Sequence, residues 1–122
     1  MKKLKVLIVD DSAEDTRKAA LLLKNAGHAV IVASNGMEGV AMAKQQLPDL
    51  ILMDIVMPGL NGFQATRQLS HDEVTRNIPV IVVSGKDQET DKVWAMRQGA
   101  KAYLTKTIEK KILLDTIGDL MS

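Results

Sequence analysis

Apolar residues in this chain gather into five short runs: Lys5-Val-Leu-Ile-Val9, Ala29-Val-Ile-Val-Ala33, Leu50-Ile-Leu-Met53, Pro79-Val-Ile-Val-Val83 and Ala102-Tyr-Leu-Thr105. Short apolar runs bounded by polar or turn-forming residues read as strands. Between them lie longer segments of helical character, Ser12–Ala26, Asn35–Gln46, Gly62–Ser70, Gln88–Gln98 and Glu109–Leu120. Five strands and five helices in alternation predict βαβ units, and therefore a parallel sheet in an α/β fold.

Runs as apolar as Val6–Val9 and Ile81–Val83 need cover on both faces, so the helices are expected on both sides of the sheet. The strand order 2-1-3-4-5, that of flavodoxin-like sheets, is taken by analogy. With right-handed crossovers it puts the switch point between the first and third strands. Helix signals fit this frame. Ser12 can cap the first helix, with Asp15 in its first turn and Gly27 to close it; Asn35 can cap the second, and Gly99 follows the fourth. The polar stretch Gly85-Lys-Asp-Gln-Glu-Thr-Asp91 reads as a mobile loop.

Composition narrows the class. A chain of 122 residues with 46% hydrophobic content fits one domain, expected over 1–122, with no room for a second. There is no Cys, which excludes disulfides and thiolate metal sites and leaves a cytoplasmic home as the default. The basic start Met1-Lys-Lys-Leu-Lys5 is followed by an apolar stretch that stops at Asp10-Asp11, too short for a signal peptide. No run approaches a membrane span of about 20 residues. A net charge of +1 gives no electrostatic case for nucleic acid. Partners must be recognised by shape and local chemistry.

The candidate chemistry sits where strands end. Asp10, Asp11, Asp54, Ser84 and Lys106 each follow or close an apolar run, and open α/β sheets place their sites at the carboxyl ends of strands. Three carboxylates, a hydroxyl and an ammonium would share one pocket. Mg²⁺ takes oxygen ligands, commonly one or two carboxylates with waters and phosphate oxygens, and Asp10, Asp11 and Asp54 can supply that set. A carboxylate is also a competent nucleophile toward phosphorus, and Asp54 at the end of the central strand is the best placed. Ser84 and Lys106 could each hold a phosphoryl oxygen. Taken singly these residues say less: Asp-Asp-Ser after a strand is more often a helix cap. Their joint occurrence in register carries the reading. His28 and His71 have no companions at ligand spacing and are expected on the surface; the methionines are expected to fill the core.

Val9-Asp-Asp-Ser12, Leu52-Met-Asp-Ile-Val-Met-Pro-Gly59, Val83-Ser84 and Tyr103-Leu-Thr-Lys106 resemble the marks of the CheY-like response-regulator receiver domain of two-component signalling. The likeness spans essentially the whole chain. Within that family, Leu52–Arg67 and Lys86–Trp94 are most similar to PilH-type single-domain regulators of twitching motility. The resemblance implies that Asp54 accepts a phosphoryl group from the phosphohistidine of a sensor histidine kinase. It implies direct Mg²⁺ ligation by Asp11, Asp54 and the Val56 carbonyl, with Asp10 acting largely through water. Ser84 and Tyr103 would form the switch. Output would pass through the fourth helix, fifth strand and fifth helix to a target protein, or the domain would drain phosphoryl groups as a sink. It would act as a monomer or as a weak dimer on activation. Val56 and Lys86 lie where the family varies residues that tune phosphoryl lifetime.

One position departs from the pattern: Lys106 is followed by Thr107, where receivers usually carry proline, often in a cis peptide. A cis bond costs about 2.5–4 kcal/mol before a non-proline residue, so a trans Lys106–Thr107 peptide is expected, which leaves open the course of the loop into the last helix and the reach of Lys106. The same departure leaves a rival open, a pseudo-receiver that binds partners without phosphorylation. A haloacid-dehalogenase-like phosphatase fits less well, because Asp54-Ile-Val56 lacks the second Asp two residues on. The absence of a Gly-rich phosphate loop argues against a nucleotide enzyme.

Overall fold

All five apolar runs form strands of one parallel sheet in the computed structural model, which describes residues 2–122. The elements alternate as β1 (Lys5–Val9), α1 (Ala13–Asn25), β2 (Ala29–Ala33), α2 (Gly36–Gln46), β3 (Leu50–Met53), α3 (Gly62–His71), β4 (Val80–Ser84), α4 (Glu89–Arg97), β5 (Ala102–Thr105) and α5 (Lys110–Met121). The sheet order is β2-β1-β3-β4-β5, as expected from the doubly wound analogy. Among the described residues no helix is long and apolar enough to cross a membrane.

Side-chain alternation along the strands divides the core in two. Leu7, Val9, Ile51, Met53, Val80 and Val82 face one layer with Val40 and Ala43 of α2, Ala65 and Leu69 of α3 and Ala95 of α4. Val6, Ile8, Leu50, Leu52, Ile81 and Val83 face the other with Ala19 and Leu23 of α1 and Leu113 and Ile117 of α5. Strands covered on both faces explain why the runs are uniformly apolar instead of alternating. Each fully buried Val, Leu or Ile contributes about 1.5–3 kcal/mol, so the three central strands form the rigid floor of the domain.

The ends of the elements follow local chemistry. Ser12 Oγ accepts the Asp15 N–H at 3.2 Å and Asn35 Oδ1 accepts the Glu38 N–H at 2.9 Å, the two caps expected from the sequence. Asn61 and Gln64 add a reciprocal capping box at the start of α3. β4 begins at Val80, not Pro79, and takes in Ser84. Proline has no N–H for the ladder, although the Pro79 carbonyl still accepts from Ile51 N–H at 3.0 Å.

The histidines divide. His71 is exposed as expected, but His28 is only 4% exposed. It stands at the entry to β2, beside the entry to β1, where its Nδ1 accepts the Leu4 N–H at 3.1 Å. The ring thus supplies an acceptor to the strand entrance, a role invisible in a search for ligand spacing.

Candidate functional site

The site grows from the ladder between the two central strands. β1 and β3 run in register with Val9 opposite Met53, and the Asp54 N–H continues the pairing by donating to the Val9 carbonyl at 2.9 Å. Asp10 N–H donates to Ala33 of β2 at 3.1 Å. Both aspartates are therefore fixed by backbone bonds one residue beyond their strands, where the chain order reverses. Both are buried, at 7% exposure, whereas Asp11 is exposed. Carboxylate oxygens of Asp10, Asp11 and Asp54 lie within 4.8 Å of one another.

α3 begins directly beneath Asp54. The Gly62 N–H donates to the Ile55 carbonyl at 2.9 Å. A Cβ at this glycine would stand 2.7 Å from the Ile55 Cα and overlap the Asp54 carbonyl oxygen. The obstacle is backbone, so it cannot rotate away. Gly62→Ala is expected to cost about 1–3 kcal/mol, as overpacking of a close-packed interior does. Urea unfolding checks this; a variant as stable as the wild type would contradict the close approach.

Lys106 closes the cluster from β5. Its Nζ stands 2.9 Å from Asp10 Oδ2, 2.8 Å from Asp15 Oδ2 and 3.4 Å from Asp54 Oδ1. The peptide that follows it is cis, which corrects the expectation of a trans Lys106–Thr107 bond. That expectation weighed one bond in isolation, whereas tertiary contacts hold this one. The Lys106 N–H donates to the Ser84 carbonyl at 2.8 Å and its ammonium is anchored among three carboxylates. The reach of Lys106 into the site is intact.

Burial, the negative charge of Asp10 and the opposing pull of Lys106 leave the Asp54 carboxyl with a pKa pushed up to about 6. Desolvation pulls the Lys106 ammonium the other way, but its hydrogen bonds to Asp15 and Asp10 outweigh that and raise its pKa. The cation stays charged. Asp15, held chiefly by the hydrogen bond from Lys106, is lowered.

Ser84 and Tyr103 share this edge of the sheet but bond elsewhere. Ser84, 1% exposed, accepts the Lys86 N–H on its Oγ at 3.2 Å. The half-buried Tyr103 donates its hydroxyl to the Lys86 carbonyl at 2.6 Å. Both switch candidates are thus tied to the same residue of the β4–α4 loop. The Val56 side chain is exposed in the loop after β3, and its carbonyl accepts no backbone hydrogen bond among the described residues. Sequence reasoning missed one member of the cluster: Asp15, noted only as an acidic residue in the first helical turn, makes the shortest contact to Lys106. Its signal was its position one helical turn after the acidic pair, on the helix that starts at the site.

Three carboxylates on rigid strand ends form an all-oxygen donor set, which fits a hard divalent cation such as Mg²⁺. The sequence profile of the response regulator receiver domain matches residues 6–118. The chain belongs to the response regulator receiver family. PilH of Pseudomonas aeruginosa is 57% identical over 118 residues, covering 97% of this chain and 98% of PilH. The chemotaxis response regulator CheY4 of Vibrio cholerae has the same fold with a TM-score of 0.90 at 27% identity, over 98% of this chain and 99% of that one. A CheY in complex with CheX, BeF3 and Mg²⁺ from Borrelia burgdorferi matches with a TM-score of 0.90 at 26% identity, over 97% of this chain and 89% of that one. The chain is a regulatory receiver of two-component signalling, not a classical enzyme. Receivers bind Mg²⁺ at an acidic pocket and interact with histidine kinases and downstream targets.

Proposed function

We propose that this receiver takes a phosphoryl group onto Asp54 from the phosphohistidine of a sensor kinase and signals through the change that follows. The observation carrying this reading is the position of the Asp54 carboxylate, buried between two strand ends with Asp10 on one side and the Lys106 ammonium 3.4 Å away. An Asp54 carboxylate oxygen bonds to phosphorus as the phosphorus–nitrogen bond of the donor breaks, its electron pair returning to the imidazole. The product is an acyl phosphate on Asp54.

Asp11, Asp54 and the Val56 carbonyl would hold Mg²⁺, with Asp10 contributing largely through water. When bound, the ion supplies positive charge against the carboxylates and the phosphoryl oxygens. Lys106 adds a charge-assisted hydrogen bond to one phosphoryl oxygen and the Ser84 hydroxyl a bond to another. Drawing Ser84 toward Asp54 would loosen its bond with the Lys86 N–H, and that residue also carries the Tyr103 contact. The strand-end site is in this way linked to β5.

Output on this reading passes through the α4–β5–α5 face, where Val93, Trp94, Met96 and Ile112 are exposed apolar residues. An unpartnered apolar face of this kind suits protein docking. A phosphoryl sink is the other form the function can take. The 57% identity to PilH supports a PilH-like role; we set that role in type IV pilus twitching motility, in the cytoplasm, with the domain a monomer or weak activation-dependent dimer. Incubation with acetyl phosphate and Mg²⁺ tests the reading. Wild type is expected to gain the mass of one phosphoryl group and Asp54→Asn to gain none; an undiminished gain in the variant would sink the assignment.

A further inference from the structure

The Lys106 ammonium has three N–H donors, and three carboxylates surround it at unequal distances. The contacts at 2.8 Å to Asp15 and 2.9 Å to Asp10 are hydrogen bonds, whereas Asp54 at 3.4 Å is the loosest of the three. Asp10 belongs to the acidic pocket itself. Asp15 lines the same pocket from the first turn of α1, but it is not one of the three carboxylates that converge within 4.8 Å of one another. Its side chain is 38% exposed, against 7% for Asp10, so it approaches Lys106 from the solvent side.

We infer that Asp15 is a positioning residue that tethers the Lys106 ammonium away from Asp54, so that phosphorylation must draw Lys106 off Asp15 and onto the new phosphoryl oxygens. This rests on the reading of Asp54 as phosphoacceptor. Two of the three N–H donors are committed to Asp15 and Asp10, and those two short bonds set the position of Nζ, 3.4 Å from Asp54; closing on a phosphoryl oxygen at Asp54 moves Nζ and lengthens one of them. Asp10 is buried and held by the Ser12 N–H on its other oxygen at 2.9 Å, so Asp15 is the partner that can be released. Its carboxylate can turn to water without leaving a buried charge unpaired. The tether thus opposes phosphorylation.

The side chain can be altered without disturbing the helix. The Ser12 cap bonds the backbone N–H of Asp15, not its carboxylate, so Asp15→Asn retains it.

The test follows transfer from acetyl phosphate at saturating Mg²⁺ by intact mass against time. An Asp54 oxygen bonds to phosphorus as the phosphorus–oxygen bond to the acetyl group breaks; the electron pair leaves with acetate and no proton moves. Asp15→Asn is expected to be phosphorylated about two- to fivefold faster than wild type, the size of a partly exposed ion pair. Asp15→Glu, which restores the carboxylate, is expected to return the wild-type rate. In a Lys106→Ala background, adding Asp15→Asn should change nothing, because the tether is already gone. An unchanged or slower rate in Asp15→Asn would overturn the inference while wild type still gains mass. So would an equal acceleration without Lys106, which would assign the effect to simple charge repulsion. A wild type that gains no mass overturns the phosphoacceptor reading, and the inference with it.

Discussion

Asp54→Asn is expected to stabilise the metal-free domain at pH 7. The folded state lifts the Asp54 pKa from 3.8 to about 6, a shift worth at most roughly 3 kcal/mol at about 1.4 kcal/mol per unit. We expect a gain of about 1–3 kcal/mol on removing the charge. Because the folded pKa lies above the unfolded one, the native state holds the proton more tightly. Stability from this group is therefore fully present below about pH 4 and is lost as pH rises through about 6. Asparagine carries no such loss, so the difference between variant and wild type should grow between pH 4 and pH 7 and nearly vanish at the acid end. Urea unfolding of both proteins in the presence of a chelator at the two pH values measures it. A variant no more stable than wild type at pH 7 would contradict the proposed cost of the buried Asp54 charge.

Mg²⁺ affinity is expected to fall about tenfold or more, about 1.4 kcal/mol, in Asp11→Ala. Asp11 is exposed and, among the described residues, Lys106 pairs with Asp10, Asp15 and Asp54 but not with it. Its negative charge is thus available to a cation without competition from the lysine. The fold does not depend on it, so the variant should unfold as wild type does in chelator. Calorimetric titration decides the point: equal Mg²⁺ affinity in the two proteins would exclude Asp11 as a ligand.

The sheet was legible because parallel strands covered on both faces must be continuously apolar, and runs such as Leu50–Met53 have no other use. Ser12 and Asn35 gave helix starts because capping is a local matter of a few residues. The meeting of Asp10, Asp11, Asp54 and Lys106 could be anticipated from topology alone, since in-register parallel strands deliver their carboxyl ends to one edge. What escaped the sequence depends on contacts between distant segments. His28 is buried through its bond to Leu4, 24 residues away. Asp15 is engaged through Lys106, 91 residues on. The cis peptide at Lys106 ran against local preference in a setting that the cost of a single bond does not include: Lys106 is bonded to Ser84 and to carboxylates at positions 10, 15 and 54.

The central claim is that the phosphoryl group resides on Asp54 as an acyl phosphate, and borohydride trapping tests it most directly. Borohydride reduces an aspartyl phosphate to homoserine, a permanent mark that peptide mass spectrometry can locate. After acetyl phosphate and Mg²⁺ treatment, homoserine is expected at position 54 and at neither 10 nor 11. Homoserine at Asp10 or Asp11, or a phosphoryl group that survives reduction on a hydroxyl side chain, would contradict the account.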